Sequence, residues 1–193
     1  ALTPDGRWAV TVKNARRLEV FEVATGNLVA AFEHPDSVVD LAFSPDGRWL
    51  ALAGTRRHGP VHRRGLVQVI PTRTLTTTGF DTPPAPAAVR HIAQTRMVEE
   101  VMHLALTVRW IPASLDDLPW PSRKPRRPRR AAGYGLVVAV HSLSDHRQHR
   151  LHWLKFEPDL GLEGVRSVVP DRPLESATLA VTARAVVVAT SYE

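Results

Sequence analysis

His34-Pro35-Asp36-Ser37-Val38-Val39-Asp40-Leu41-Ala42-Phe43-Ser44-Pro45-Asp46-Gly47-Arg48-Trp49-Leu50-Ala51-Leu52-Ala53-Gly54 decides the fold. Two apolar, β-rich runs, Val38–Phe43 and Trp49–Ala53, flank a Ser-Pro-Asp-Gly-Arg linker. Alternation places Val39, Leu41 and Phe43 on one strand face and Val38 and Ala42, with Asp40, on the other. In the second run Trp49, Ala51 and Ala53 alternate with Leu50 and Leu52, so both faces are apolar and call for cover. The linker is a turn with a mechanism. Pro45 pre-sets φ, the Asp46 side chain can bond its own backbone, and Gly47 supplies the position with φ > 0. A hairpin with two apolar faces cannot hide them alone and is expected to stack against copies of itself.

A copy is present. Thr3-Pro4-Asp5-Gly6-Arg7-Trp8-Ala9-Val10 repeats Ser44-Pro45-Asp46-Gly47-Arg48-Trp49-Leu50-Ala51 at an offset of 41 residues, within the period of four-stranded propeller blades. Between the copies, Leu18–Val23 reads as an alternating strand, Thr25-Gly26-Asn27 as a turn, and Leu28-Val29 as the start of another strand. On these residues the chain resembles the WD-repeat β-propeller family. The repeats of that family read GH-x-x-x-V-x-x-(V/L)-A-F-S-P-D-G-x-x-L-A and then V-x-(L/V)-W-D-x-x-T-G. His34 stands at the GH histidine, with Glu33 in place of the glycine. Phe21-Glu22 and Ile70-Pro71 stand where the family places Trp-Asp. The match covers residues 2–70 and fades beyond, which marks a divergent member. The resemblance implies that His34 is a buried structural position, with Pro4, Asp5, Gly6, Pro45, Asp46 and Gly47 as repeat-turn positions. It also implies a rigid, non-catalytic surface that displays loops to protein partners.

At 193 residues the chain can bury a real core, and its hydrophobic share of 44% is that of a globular domain. Without cysteine it has no disulfide framework, thiolate metal site or cysteine nucleophile. No apolar run reaches the length of a membrane span, and no basic-then-apolar leader opens the chain. A cytoplasmic, non-membrane protein is therefore expected. Ala1 falls inside a repeat, so the chain is expected to be part of a longer protein that carries further blades or an effector domain.

The expected fold is all-β, a partial propeller of about three to four four-stranded antiparallel blades. Blade one is partial over 1–33 and blade two covers 34–80, with strands Val38–Phe43, Trp49–Ala53, Leu66–Ile70 and Leu75–Phe80. The arginine-rich Gly54–Gly65 is a swollen connection within blade two, and 81–96 is a Pro- and Ala-rich connector. Blade three covers 97–157. His103–Thr107 is its inner strand, Arg109-Trp110-Ile111 begins the second, and the insertion 115–133 interrupts it. Residues 175–193 make a partial blade four.

The most prominent chemical feature is the run from Ser122 to Arg130. Arg123, Lys124, Arg126, Arg127, Arg129 and Arg130 give it six cations and no acid, which equals the formal net charge of +6 for the whole chain. Such an arm can hold a phosphate backbone or an acidic partner, or it can be a solvated, proline-stiffened loop. Arginine outnumbers lysine 22 to 3 throughout, which favours the loop, and only Trp120 flanks the run, so base stacking is not supported. His141, His146, His149 and His152 lie close in sequence, but residues three apart on a strand point to opposite faces, so no metal or other cofactor is expected. Asp116-Asp117 reads as a turn, and there is no phosphate loop, nucleophile elbow or zincin helix. The five tryptophans, Trp8, Trp49, Trp110, Trp120 and Trp153, mostly occupy strand positions suited to packing between blades. No enzyme is expected. The sequence leaves two function classes: a protein-interaction scaffold and, as the alternative, a nucleic-acid or polyanion binder acting through 122–130.

Overall fold

The computed structural model describes residues 1–57, 62–77, 82–86, 88–96, 104–111, 134–142, 150–156, 162–168, 177–181 and 186–190. The insertion 115–133 with its six cations, Asp116-Asp117, Trp120, His103, His146 and His149 lie outside these residues.

Where turn chemistry and apolar alternation agree, the strands pair with their sequence neighbours. The first sheet joins β1 (Trp8–Lys13), β2 (Arg17–Glu22) and β3 (Leu28–Glu33). Leu2 makes an isolated antiparallel bridge to Ala9, on the side of β1 away from β2. Asn14 and Ala15 turn β1 into β2 with φ of 51° and 58°, the left-handed pair that a tight hairpin requires. The second sheet is β4 (Ser37–Phe43), β5 (Trp49–Arg57), β6 (His62–Pro71) and β7 (Ala88–Arg96), with a one-turn helix, α1 (Thr72–Leu75), after β6. The third sheet is β8 (Leu104–Ile111), β9 (Tyr134–Ser142), β10 (Arg150–Phe156) and β11 (Leu162–Val168), and the fourth pairs β12 (Ala177–Val181) with β13 (Val186–Thr190). Every pairing is antiparallel between consecutive strands.

Apolar faces stack these sheets in series. Val10, Leu18, Val20, Ala30 and Phe32 of the first sheet pack with Val38, Leu50, Leu52, Ile70 and Leu75 of the second. From the opposite face of the second sheet, Ala51, Ala53, Val67 and Val69 pack with Val108, Trp110, Leu136, Val138 and Leu154 of the third. The inner strands β4 and β8 touch, and β12 lies against β8 and β9. Serial four-stranded meanders stacked face to face are the blades of a β-propeller, so the chain is an arc of one.

Several expected boundaries move. The outer strand of the second sheet is Ala88–Arg96, not Leu75–Phe80, so the connector ends before residue 88. Pro71 closes β6, the Thr74 hydroxyl donates to the Pro71 carbonyl at 2.7 Å, and the helical turn drops Leu75 into the core. Gly54–Gly65 is largely strand rather than loop, because β5 and β6 continue pairing out to Arg57 and Arg63. Arg109-Trp110-Ile111 belongs to the inner strand β8 itself rather than to a second strand, and the third sheet runs on to Val168, past residue 157. In β4 a bulge between Val38 and Asp40 shifts the alternation. Val38 joins Leu41 and Phe43 on the side of the first sheet, and Val39 turns out to solvent at 40% exposure.

Candidate functional site

The two Pro-Asp-Gly turns are the same object built twice. The Thr3 and Ser44 hydroxyls each donate to the carboxylate two residues on, Asp5 and Asp46, at 2.6 Å. Those carboxylates accept from the Arg7 and Arg48 amides at 3.0 and 3.1 Å. The same hydroxyls accept from the Trp8 and Trp49 amides at 2.9 and 3.0 Å. Gly6 and Gly47 close both turns with φ of 70° and 71°, and Pro4 sits in van der Waals contact with the place a Gly47 Cβ would occupy. The Thr3 hydroxyl, followed by the Arg7 amide, holds the Asp5 carboxyl below its ordinary range.

At the other end of the second sheet lies a buried polar cluster. His34 (5% exposed) precedes β4 and is packed under Gln68 of β6. Its Nδ1 sits between the amide and carbonyl of Asp36, at 3.1 and 3.0 Å, and its Nε2 donates to Gln68 Oε1 at 3.3 Å. The Gln68 amide donates to Asp36 Oδ2 at 2.8 Å. Arg56 of β5 grips both oxygens of Asp36 at 2.7 Å, a bidentate pair in which the carboxylate is 3% exposed and the guanidinium side chain 47%. Hydrogen bonding to Asp36 raises the Arg56 pKa above its ordinary value. Thus one side chain from each of β5 and β6 is tied to the segment leading into β4. Three strands are fixed by one carboxylate.

Asp40 performs the equivalent task between sheets. Its Oδ2 accepts from the Val108 amide at 2.9 Å and from Arg109 Nη1 at 2.6 Å, while Oδ1 accepts from the Leu41 amide at 2.9 Å. Trp110 Nε1 donates to the Ala42 carbonyl at 2.8 Å, completing a clasp between β4 and β8. Asp36, Arg56, Gln68 and Asp40 were not singled out from the sequence. The legible signal was Gln68, one polar residue inside the apolar run Leu66–Ile70. Asp36 precedes the strand run and Asp40 lies within it, with nothing to set either apart from other acids, and nothing in the order of residues joins Arg56 to Asp36.

The arrangement ties strand to strand within the chain: every carboxylate in it is committed to a guanidinium or an amide. Among the described residues no three His, Cys, Asp or Glu side chains come together in a set suited to a metal ion. His152 is buried in β10. No helix among the described residues is long and apolar enough to cross a membrane.

No protein-family model matches the chain, and no curated protein matches it. Solved structures similar to it include Kuenenia stuttgartiensis hydrazine synthase, at 15% identity over 88% of this chain and 41% of that one, with a TM-score of 0.49. A second is the dihydro-heme d1 dehydrogenase NirN in complex with DHE, at 15% identity, 98% and 31% coverage, and a TM-score of 0.47. A third is the RRP9 WD40 repeats, at 12% identity, 84% and 48% coverage, and a TM-score of 0.32. The chain therefore spans less than half the length of each. The propeller architecture is read from the sheets themselves.

Proposed function

We propose that this chain is a divergent WD-repeat segment of a β-propeller, non-catalytic and cytoplasmic, acting as a protein–protein interaction scaffold within a longer multidomain protein. One observation carries the reading: the second sheet is covered on both faces, so its ends and outer edge are the surfaces left to meet a partner. The duplicated Thr/Ser-Pro-Asp-Gly turns and the buried His34 support the WD-repeat assignment. Missing blades or an effector domain would lie elsewhere in the same protein.

The test is site-specific photo-crosslinking in the full-length protein, with the reactive residue at Arg57 on the β5–β6 hairpin and at Thr25 in the first sheet's turn. A discrete protein adduct from either position is expected. A chain that yields no protein adduct but turns over a small molecule would overturn the reading.

The charge balance favours a second reading. Arg123, Lys124, Arg126, Arg127, Arg129 and Arg130 equal the whole net charge of +6, so a nucleic-acid or other polyanion contact would be electrostatic. It requires a steep fall in duplex-DNA affinity with salt that disappears on deletion of 122–130; a flat salt response removes it.

A further inference from the structure

The two Pro-Asp-Gly turns share a scaffold but not a lining, and they differ where each turn meets the end of the neighbouring strand. Trp8 pairs with Glu22, and Trp49 with Pro71. The next residue in each copy, Val23 or Thr72, donates its amide to the Arg7 or Arg48 carbonyl at 2.9 Å. Glu22-Val23-Ala24 in the first copy therefore corresponds to Pro71-Thr72-Arg73 in the second. The second copy has proline for an acid, a hydroxyl residue for valine and a cation for alanine. The arginine before each tryptophan differs too. The Arg7 guanidinium closes over Trp8 at 4.8 Å from the ring centroid, whereas that of Arg48 stands off Trp49 at 6.0 Å, the limit of cation–π attraction.

At this second copy Gly47, Arg48, Trp49, Pro71, Thr72 and Arg73 line a cleft of about 260 Å³. No carboxylate stands among these residues, and that of Asp46 is held by the Ser44 hydroxyl and the Arg48 amide. The Thr72 hydroxyl is shut off from water and has no hydrogen-bond partner among the described residues, although the Thr72 amide is satisfied. Such a group costs stability until it finds a partner. Thr72 lines the cleft, so a rotation about χ1 presents its hydroxyl to a ligand. We infer that the cleft is a binding site for a phosphate monoester carried on a small apolar body. Such an ester brings about two negative charges and three acceptor oxygens, which the guanidiniums of Arg48 and Arg73 and the Thr72 hydroxyl match in charge and in number. The Trp49 ring and Pro71 offer its body an apolar wall, and a volume below that of drug-sized pockets suits a single ring. The site does not depend on the scaffold reading.

Calorimetric titration of the full-length protein with phenyl phosphate tests the assignment. Saturable binding in the millimolar range or tighter is expected. Inorganic phosphate, which lacks the ring, and benzoate, which carries a single charge, should both bind more weakly. Thr72→Val combined with Arg73→Ala gives the second copy the residues of the first. Affinity should fall about tenfold or more with the loss of charge-assisted bonds, while the melting temperature holds or rises because an unsatisfied hydroxyl is gone. Arg48→Gln, at an exposed position, should weaken binding as well, and it decides the matter if the double variant does not fold. A phosphotyrosine peptide that binds more tightly than phenyl phosphate, with the same loss in the variants, identifies a protein partner as the source of the ester; no gain from the peptide identifies a free small molecule. Absence of phenyl phosphate binding overturns the inference, as does benzoate or inorganic phosphate bound as tightly. Binding that survives the variants, or is lost only on deletion of 122–130, overturns it too.

Discussion

At the residue scale, the decisive groups are single carboxylates with several donors. Asp36 is almost wholly buried and its carboxylate is held by Arg56 and Gln68, so Asp36→Ala strands a guanidinium and a side-chain amide around a void. Removing one partner of a buried pair costs about 3–5 kcal/mol; with Arg56 half exposed, about 2–4 kcal/mol is expected here. Urea titration checks it, and a loss under about 0.5 kcal/mol, the usual surface value, would show that the cluster is not structural. Asp5 gives a pH signature. Its carboxyl is held below the ordinary 3.8 by the Thr3 hydroxyl, so the charged form is favoured in the folded state. That contribution is present in full above the ordinary value and is lost as pH falls through the lower, folded value. Asp5→Asn should therefore flatten the acid limb of the stability curve below about pH 4 while changing the neutral region in one direction only, by loss of the turn. An acid limb of unaltered slope would count against the Thr3–Asp5 bond.

At the element scale, the same physics explains what could and could not be read in advance. The hairpin β4–β5 was legible because turn chemistry, alternation and an internal copy all agree. The bulge after Val38 was not, since a bulge changes no residue type and shows itself only in the pairing. Strand β7 was hidden for another reason: the prolines before it end in a segment that reads as loop, and its own polar composition gives no apolar alternation. The carry-over of β8 through Trp110 was misjudged because Arg109-Trp110-Ile111 copies Arg48-Trp49-Leu50, although the turn before it is missing. The bulge also leaves a mark on its partner strand. At Gly54 an added Cβ would run into the Ser37 carbonyl oxygen and press on the Val38 backbone, so the strands approach there as only glycine permits. Gly54→Ala is expected to destabilise by about 1–3 kcal/mol by overpacking, although alanine is otherwise the better strand residue. A neutral urea midpoint would mean that β4 can slide away without cost.

At the scale of the whole molecule, the question is whether stacked sheets behave as one body or as a row of units. Repeat folds draw their stability from interfaces between neighbours as well as from each unit, so the seam between the second and third sheets sets the cooperativity. Two contacts hold that seam on the strand backbone: Asp40 on the Val108 amide and Arg109, and the Trp110 indole on the Ala42 carbonyl. Asp40 lies at the inner strand of one sheet and acts on the inner strand of the next, so its loss separates sheets without removing a strand from either. Asp40→Ala should cost about 1–3 kcal/mol, the range for hydrogen bonds to a charged group. Trp110→Phe keeps most of the packing and drops one bond, so it should cost about 1 kcal/mol. Because both changes open the same pair of strands, the double variant should lose less than the sum of the two. The sharper readout is the shape of unfolding. Far-UV circular dichroism reports every sheet, whereas hydrogen exchange at the Val108 amide reports the seam. In the native chain the two should give the same free energy, and in Asp40→Ala the Val108 amide should exchange through a lower-energy local opening. If Val108 already exchanges far more easily than the chain unfolds, the sheets are independent units, and the Asp40 and Trp110 bonds do not make one cooperative body of them.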